Sequence, residues 1–191
     1  MKKTINEQEE IVKNLKFENL KLIEELKIKL MKENENKIKI KVFNNGRYEG
    51  QLKQDKMEGK RKYYFKNGDI YEGEFKNNKR EGKGIYYMKN GNKYEGDFKN
   101  AKKEGKGKFY YKDGDRYEGD FKNGKYEGKG IYYYQNGNRY EGDFKDGKYH
   151  GHGIKYYNND DRVMGDYIND QQIGKHVILT TEGKIRSELY D

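Results

Sequence analysis

Residues 117–130 read Tyr-Glu-Gly-Asp-Phe-Lys-Asn-Gly-Lys-Tyr-Glu-Gly-Lys-Gly, and this stretch opens a unit that returns every 23 residues. The tripeptide Tyr-Glu-Gly begins at Tyr48, Tyr71, Tyr94, Tyr117 and Tyr140. A sixth, degenerate copy follows in phase from Val163. Six copies in phase without an insertion indicate a tandem-repeat protein, in which each unit packs on its neighbours. Positions in the repeat are counted from the tyrosine of this tripeptide.

Each unit predicts two β-strands and two turns. Residues 116–121 alternate between polar residues and tyrosine, glycine or phenylalanine, and residues 129–134 are rich in aromatic and β-branched side chains. The Asn-Gly pairs within 122–125 and 135–138 are turn signals. A period of 23 residues leaves no room for a helix of about ten residues beside two strands. The unit is therefore predicted to be a hairpin, and the array an antiparallel meander of about 12–13 strands.

Glycines inside the predicted strands need an explanation, because glycine weakens a strand. Position fourteen is glycine in four consecutive copies and is Arg61 or His176 in the outer ones. These structural glycines are Gly84, Gly107, Gly130 and Gly153. We infer that each leaves a slot in which the ring of a neighbouring tyrosine or phenylalanine lies flat. Such slots would let one sheet form a dense layer without a second sheet above it.

The stretch 117–130 resembles the MORN repeat (membrane occupation and recognition nexus), strongly over 48–162 and weakly over 163–185. The family often has tryptophan where this chain has Phe98 or Phe121, and histidine where it has Glu104 or Glu127. The resemblance implies an elongated, twisted sheet that bears a groove. Family members include ciliary radial spoke heads, cytoskeletal organisers, junctophilins and plant phosphoinositide kinases, so the resemblance implies a scaffold function.

The chain divides into a helical segment and a repeat array. We expect an all-β array, elongated and single-layered, over residues 38–185, preceded by an amphipathic α-helix. The predicted segments are the helix 1–37, a half repeat 39–47, five clear repeats 48–162, a degenerate repeat 163–185 and a C-terminal cap or tail 186–191.

The N-terminal segment has no glycine and is rich in Lys, Glu, Leu and Ile, which favour helix. A heptad pattern places one apolar face on Val12, Leu15, Leu22 and Leu26, with Asn19 as a polar residue within it. Two interpretations remain open at this stage. The face packs on the chain's own sheet, or it is a coiled-coil or docking face for a partner chain.

Composition narrows the function classes. Charged residues make up 39% and hydrophobic residues 31%, which alone would predict disorder, but 20 Tyr, 8 Phe and no Pro indicate an ordered aromatic layer. The net charge of +9 is spread over alternating acids and bases, which disfavours nucleic acid as a partner. The chain has no cysteine, secretory signal or long apolar run. We therefore expect a soluble cytoplasmic protein.

Candidate catalytic and metal sites are weak. His150 and His152 lie two residues apart, but they occupy the places of Glu127 and Lys129 in the preceding repeat. Acidic pairs such as Glu118 and Asp120 recur in successive copies, which predicts a ladder facing lysines across the sheet. We expect no enzyme activity, no cofactor and no metal site.

A row of tyrosines at position seventeen is the strongest functional signal. The predicted partner-binding residues are Tyr64, Tyr87, Tyr110, Tyr133 and Tyr156. Adjacent residues of a strand face opposite ways, so position eighteen lies on the other face. Rigid amphipathic rings suit a protein interface. With the resemblance, this predicts a scaffold that joins subunits of a cytoskeletal or ciliary assembly. The alternative is a peripheral membrane module whose lysine rows bind anionic phospholipids.

Overall fold

A computed structural model describes residues 2–35 and 38–191, with side chains from 10–33 and 38–191. The end of the predicted helical segment, 36–37, lies outside the described residues. Helix α1 spans Lys2–Glu35. The strands are β1 (Lys39–Phe43), β2 (Gly46–Lys53), β3 (Lys56–Phe65), β4 (Ile70–Lys76), β5 (Lys79–Tyr87), β6 (Lys93–Lys99), β7 (Lys102–Tyr110), β8 (Arg116–Lys122), β9 (Lys125–Tyr133), β10 (Arg139–Lys145), β11 (Lys148–Tyr156), β12 (Arg162–Ile168), β13 (Gln171–Leu179) and β14 (Ile185–Tyr190).

The strands form one sheet in which each pairs antiparallel with the next along the chain, from β1 to β14. The predicted meander with a 23-residue period is thus confirmed. The sheet has fourteen strands, slightly more than the expected 12–13, and its last strand, Ile185–Tyr190, pairs with β13 along its whole length. Local pairing of consecutive strands explains why a chain with so few apolar residues holds an ordered sheet.

Two kinds of turn alternate along the array. Asn123 and Gly124, with φ of 52° and 90°, form the two-residue turn between β8 and β9, and this positive-φ geometry matches the twist of a hairpin. The longer turn between β9 and β10 is closed by the Tyr134 amide, which donates to the Asn138 carbonyl at 2.9 Å. Both turns fall where the Asn-Gly pairs predict them.

One face of the sheet, called the ring face here, carries the core. Position one is fully buried in five copies: Tyr48, Tyr71, Tyr94, Tyr117 and Tyr140. Tyr117 lies edge to face with Phe121 of its own repeat at 5.2 Å and with Phe144 of the next at 4.9 Å. Its hydroxyl donates to the Asp120 carbonyl at 2.9 Å. The aromatic layer is therefore continuous across repeat boundaries.

Glycine makes this layer possible. A Cβ built on Gly130 would lie 2.5 Å from the Tyr117 hydroxyl oxygen, and one on Gly107 would lie 2.6 Å from the Tyr94 ring. Gly84 and Gly153 meet Tyr71 and Tyr140 in the same way. The rings occupy the space that side chains at position fourteen would need.

A bulge interrupts each within-repeat pairing. Gly119 pairs with Gly130, but the next residue, Asp120, pairs with Glu127, and Gly128 has a φ of +63°. The register slips by two residues. An even slip leaves every side chain on its original face, so the alternation expected from the sequence survives the bulge.

Side chains also join neighbouring repeats on both sides of the sheet, at the strand ends where the turns lie. On one side, Asp115 accepts the amide of Gln135 at 2.9 Å and the hydroxyl of Tyr132 at 2.8 Å. On the other, Glu104 accepts the amide of Asn123 at 2.9 Å. Glu58, Glu81 and Glu127 do the same for the turns that follow them. These glutamates, where the family often has histidine, therefore fix the hairpin turns.

The outer copies fill the position-fourteen slot differently. Position one of the sixth copy is Val163, and the fully buried ring of His176 covers Gly165 instead of a tyrosine. His176 lies edge to face with Tyr167 at 5.4 Å and with Tyr190 of β14 at 5.0 Å. The last strand thus covers a modified end of the aromatic layer.

Candidate partner-binding groove

The face opposite the ring face carries a groove. Its floor is a column of glycines paired across neighbouring strands, for example Gly84 with both Gly73 and Gly96. Because the tyrosine rings cover these glycines from the ring face, the opposite side of the column is bare backbone. The floor is thus a consequence of the same packing that builds the core.

Two rows of side chains form the walls of the groove. One row alternates glutamate with isoleucine or lysine, such as Glu118 with Ile131, and the other carries Lys83, Lys106 and Lys129. Two cavity sections of about 550 and 520 Å³ share Lys106, Glu118 and Gly119. The groove is therefore continuous from Lys60 on β3 to Ile154 on β11.

The charges of the walls are largely paired. The basic row contacts the acidic position four of the next strand, with N–O distances of 2.6 Å for Lys83–Asp97 and 2.7 Å for Lys106–Asp120 and Lys129–Asp143. In the other wall, Lys108 lies 2.9 Å from Glu118, and this hydrogen bond raises the pKa of Lys108. The predicted ladder of acids facing lysines is present, and it presents both signs of charge to the groove.

The tyrosines of position seventeen lie on the grooved face, as the alternation predicts, but one step outward from the glutamate wall. None of them lines either cavity section. Each alternates with position twenty-three of its neighbours, and in four of the five a cation there covers the ring; for example, Arg116 lies 4.2 Å from the Tyr133 ring centre and Arg139 lies 3.8 Å from that of Tyr156. Tyr87, which pairs with Ile70 on one side, is 40% exposed. The row forms a rim beside the groove.

The MORN-repeat family model matches five consecutive units of this chain, at residues 48–70, 71–93, 94–116, 117–139 and 140–162. The chain belongs to the MORN-repeat family. A comparison with curated proteins by sequence gives no match.

The solved structures that match this chain share little sequence with it. The SAS-4 (dCPAP) TCP domain of Drosophila melanogaster, solved in complex with a proline-rich motif of Ana2 (dSTIL), is 12% identical over 69% of this chain and 84% of that chain, with a TM-score of 0.43. The wild-type TCP10 domain of Danio rerio CPAP is 13% identical over 80% of this chain and 84% of that chain, with a TM-score of 0.26. Similarity at this level does not identify a ligand for the MORN array.

Position eighteen of the MORN array lies on the ring face. The Tyr111 and Tyr126 hydroxyls share a hydrogen bond of 2.6 Å, and Tyr134 bonds Tyr149 in the same way. Burial raises the pKa of Tyr134. The two adjacent rows therefore face opposite ways, and a binding role for the position-seventeen row remains a prediction.

The apolar face of α1 is open. Val12, Leu15, Leu22 and Leu26 are 50–58% exposed, and every described side chain from 10 to 33 is exposed. No helix side chain in this range is therefore buried against the MORN array. No helix within the described residues is both long and apolar enough to span a membrane.

The histidines do not form a cluster of ligands. His152 contacts Asp166, with 3.0 Å between Nδ1 and Oδ1, in the same place as the lysine–aspartate pairs of earlier repeats. Among residues 2–35 and 38–191, no group of three or more histidine, aspartate or glutamate side chains is arranged to hold a metal ion. The recurring carboxylates pair with lysines instead.

The groove walls and the paired charges were not named from the sequence as a site. The alternation of positions two, four, thirteen and fifteen indicates these walls, but the prediction was made for the tyrosines of position seventeen, which lie in the neighbouring column. Which columns meet across strands depends on the register, and the two-residue slip at the bulge sets that register.

Proposed function

We propose that this protein is a non-enzymatic scaffold that binds an extended segment of a partner protein along its groove. The continuous glycine floor from Lys60 to Ile154 carries this proposal, because it offers a long track without side chains between two charged walls. Such a track suits a linear ligand better than a globular surface.

The spacing of the array supports an extended occupant. Neighbouring strands lie about 4.8 Å apart, so one repeat advances about 9.6 Å. An extended chain advances about 3.3 Å per residue, so roughly three residues span one repeat. At each step, a segment laid across the strands meets a glutamate, a basic residue of position thirteen, and an isoleucine or lysine of position fifteen. Complementary charges at that interval would fix its register.

Two further surfaces would contribute. The tyrosine rim offers rings beside the track, already held in place by stacked cations, and preorganised aromatic side chains commonly act as anchors of an interface. The open face of α1, from Val12 to Leu26, offers an apolar stripe that a partner helix would cover. We propose that both bind protein partners within the same assembly.

The phospholipid alternative is less well supported. It requires lysine rows free to meet headgroups, yet Lys83, Lys106 and Lys129 each lie within 2.7 Å of an aspartate. The cellular setting that we propose, a cytoplasmic assembly of the cytoskeleton or cilium, rests on the family resemblance.

Site-specific photo-cross-linking tests the track. A photoreactive residue is placed at Ile131, inside the groove, or at Lys122, at the exposed end of β8, and partners are identified from native lysate. We expect the same partner at Ile131 and not at Lys122. We also expect Ile85→Glu with Ile131→Glu to abolish its capture with the melting temperature little changed.

The same capture experiment separates rim from track. Tyr110→Ala with Tyr133→Ala should reduce capture if the rim anchors the partner. Full capture by the isoleucine variant, with cross-links only at Lys122, would contradict binding in the groove. If only a photoreactive residue placed in α1 captured the partner, the interface would lie on the helix.

A further inference from the structure

Position ten of the repeat changes its chemistry along the array. In the fourth and fifth repeats it is Tyr126 and Tyr149, which stack on Tyr117 and Tyr140 with ring centres 3.7 Å apart. In the second and third repeats it is Arg80 and Lys103. Two cations therefore lie on the ring face where tyrosines complete the aromatic layer elsewhere.

Both cations lie over aromatic rings. The guanidinium carbon of Arg80 is 4.9 Å from the Tyr86 ring centre and 5.5 Å from that of Phe98. The Lys103 ammonium is 4.3 Å from the Phe109 ring centre. The rings attract the cations and hold them half-buried, but they do not neutralise the charge.

Neither side chain forms an ion pair within the part of the chain that the structure describes. Arg80 donates to the Ala101 carbonyl at 2.7 Å, while the Asp69 carboxylate accepts the Tyr86 hydroxyl at 2.7 Å and the Lys89 amide at 2.9 Å. Lys103 has no hydrogen-bonded partner for its ammonium among these residues. A half-buried charge without a counter-ion loses part of its hydration, so this arrangement favours the entry of an anion.

The two cations share one cavity. Arg80, Lys102 and Lys103 line a space of about 240 Å³ with Tyr86 and Phe98, and its lining contains no aspartate or glutamate. The volume is many times the roughly 30 Å³ of a water molecule and below the roughly 300 Å³ of a drug-sized pocket. It suits a single anionic group on a short organic arm.

Electrostatics agree with this geometry. Burial, and then the charge of Arg80, lowers the pKa of Lys103 to about 8. An anion between the two cations would reverse this effect, because an opposite charge favours the protonated amine. Stabilised in this way, Lys103 would be fully charged when the site is occupied.

We propose that Arg80 and Lys103 form a binding site for a phosphomonoester group on the ring face. Two adjacent cations match a dianion better than a singly charged carboxylate, and the planar fork of arginine fits phosphate oxygens in pairs. The aromatic walls would hold the organic arm. The site lies on the face opposite the groove and does not depend on the proposed scaffold function.

Titration with phenyl phosphate tests the site in the full chain. Lysine side-chain NMR should show a saturable shift of the Lys103 signals and a rise of its pKa from about 8 towards 10.5. Benzoate, which offers one negative charge and the same ring, should bind at least roughly tenfold more weakly, a difference of about 1.4 kcal/mol.

Substitutions provide matched controls. Lys103→Tyr copies the chemistry of the next repeat, so it should fold with at least the wild-type melting temperature and lose phenyl phosphate binding by more than tenfold. Arg80→Lys should bind with intermediate affinity, because it keeps the charge and loses the fork. Lys122→Met, at the exposed end of β8, and Ile131→Glu, in the groove, should bind as wild type.

Two further probes identify the source of the group. Inorganic phosphate tests the free anion, and co-sedimentation with vesicles of phosphatidic acid tests a lipid headgroup with the same chemistry. Dependence on Arg80 and Lys103 in any of these arms supports the site and assigns its source. If no probe binds saturably, or if Lys103→Tyr binds phenyl phosphate as tightly as wild type, the proposal is wrong.

Discussion

The two faces of the sheet are formed by adjacent residues of the same strands, but their side chains have different roles. Tyr132 points to the ring face, where burial and then its hydrogen bond with Asp115 raise its pKa. Tyr133, the next residue, points to the grooved face and stacks with Arg116. A single layer has no second sheet to shield either face. The comparison teaches that one face can hold the fold while the other is left free for recognition.

The largest expected difference between the faces comes from removing one ring. Phe98 on the ring face is 4% exposed and contacts both Tyr71 and Tyr94, so Phe98→Ala should cost about 3–5 kcal/mol. Tyr110→Ala on the grooved face should cost about 1 kcal/mol or less, because it loses mainly a cation–π contact with Lys93. Urea-unfolding midpoints of the two variants measure the difference.

A similar cost for both variants would contradict the division of labour between the faces. Tyr133→Ala is the second control, since its ring has the same place in the next repeat. Capture of a partner by folded Phe98→Ala, at a temperature below its melting point, would show that the ring face is not the binding surface.

Filling a glycine slot should be the next largest effect. Valine at Gly107 would meet the Tyr94 ring, which is enclosed and cannot move away, so Gly107→Val should cost about 1–3 kcal/mol. Gly124→Ala should cost less, because nothing lies within 4 Å and Ala101 already adopts a φ of 67° at the same turn position. Thermal unfolding followed by circular dichroism compares the two, and equal costs would argue against the slot.

Much of this architecture was predictable because it is local. The period, the hairpins and the opposite facing of positions seventeen and eighteen follow from the spacing of Tyr48 to Tyr140 and from strand alternation. The helix was predicted from its composition. Its surroundings were not, because the pattern at Val12 and Leu15 is the same for a helix on its own sheet and one that awaits a partner.

The groove and the cation pair were harder to predict because they depend on contacts between strands. The bare floor exists only where Gly130 pairs with Gly119 on one side and with Gly142 on the other, and the bulge at Gly128 decides that register. The change from Tyr126 to Lys103 at position ten is visible in the repeats. That Lys103 lacks a counter-ion among the residues that the structure describes is visible only when its neighbours are known.

Alkaline pH should destabilise the ring face selectively. Burial, then a hydrogen bond with Asp69, raises the pKa of Tyr86 from 10.0 to about 12, and burial raises that of Tyr167 to about 12. The folded state therefore retains protons that the unfolded state releases, so this stability is complete below pH 10 and is lost as pH rises through 12. Urea midpoints measured from pH 10 to 12 should fall steadily, with tyrosinate absorbance appearing at unfolding. Unchanged midpoints would mean that these hydroxyls reach solvent.

The smallest effect should come from the charged wall of the groove. Lys129 is 72% exposed and pairs with Asp143 at 2.7 Å, and exposed pairs of this kind contribute about 0.2–1 kcal/mol. Lys129→Met should therefore shift the urea midpoint very little while leaving Asp143 unpaired in the groove wall. Partner capture should then become more dependent on salt, because a net negative charge is exposed to the ligand.

Lys125→Met, which removes a pair with Asp146 at a turn, is the matched control and should leave capture unchanged. A loss of more than about 2 kcal/mol of unfolding free energy in Lys129→Met would show that the groove wall supports the fold. The grooved face would then serve both stability and recognition, and the division between the two faces would be wrong.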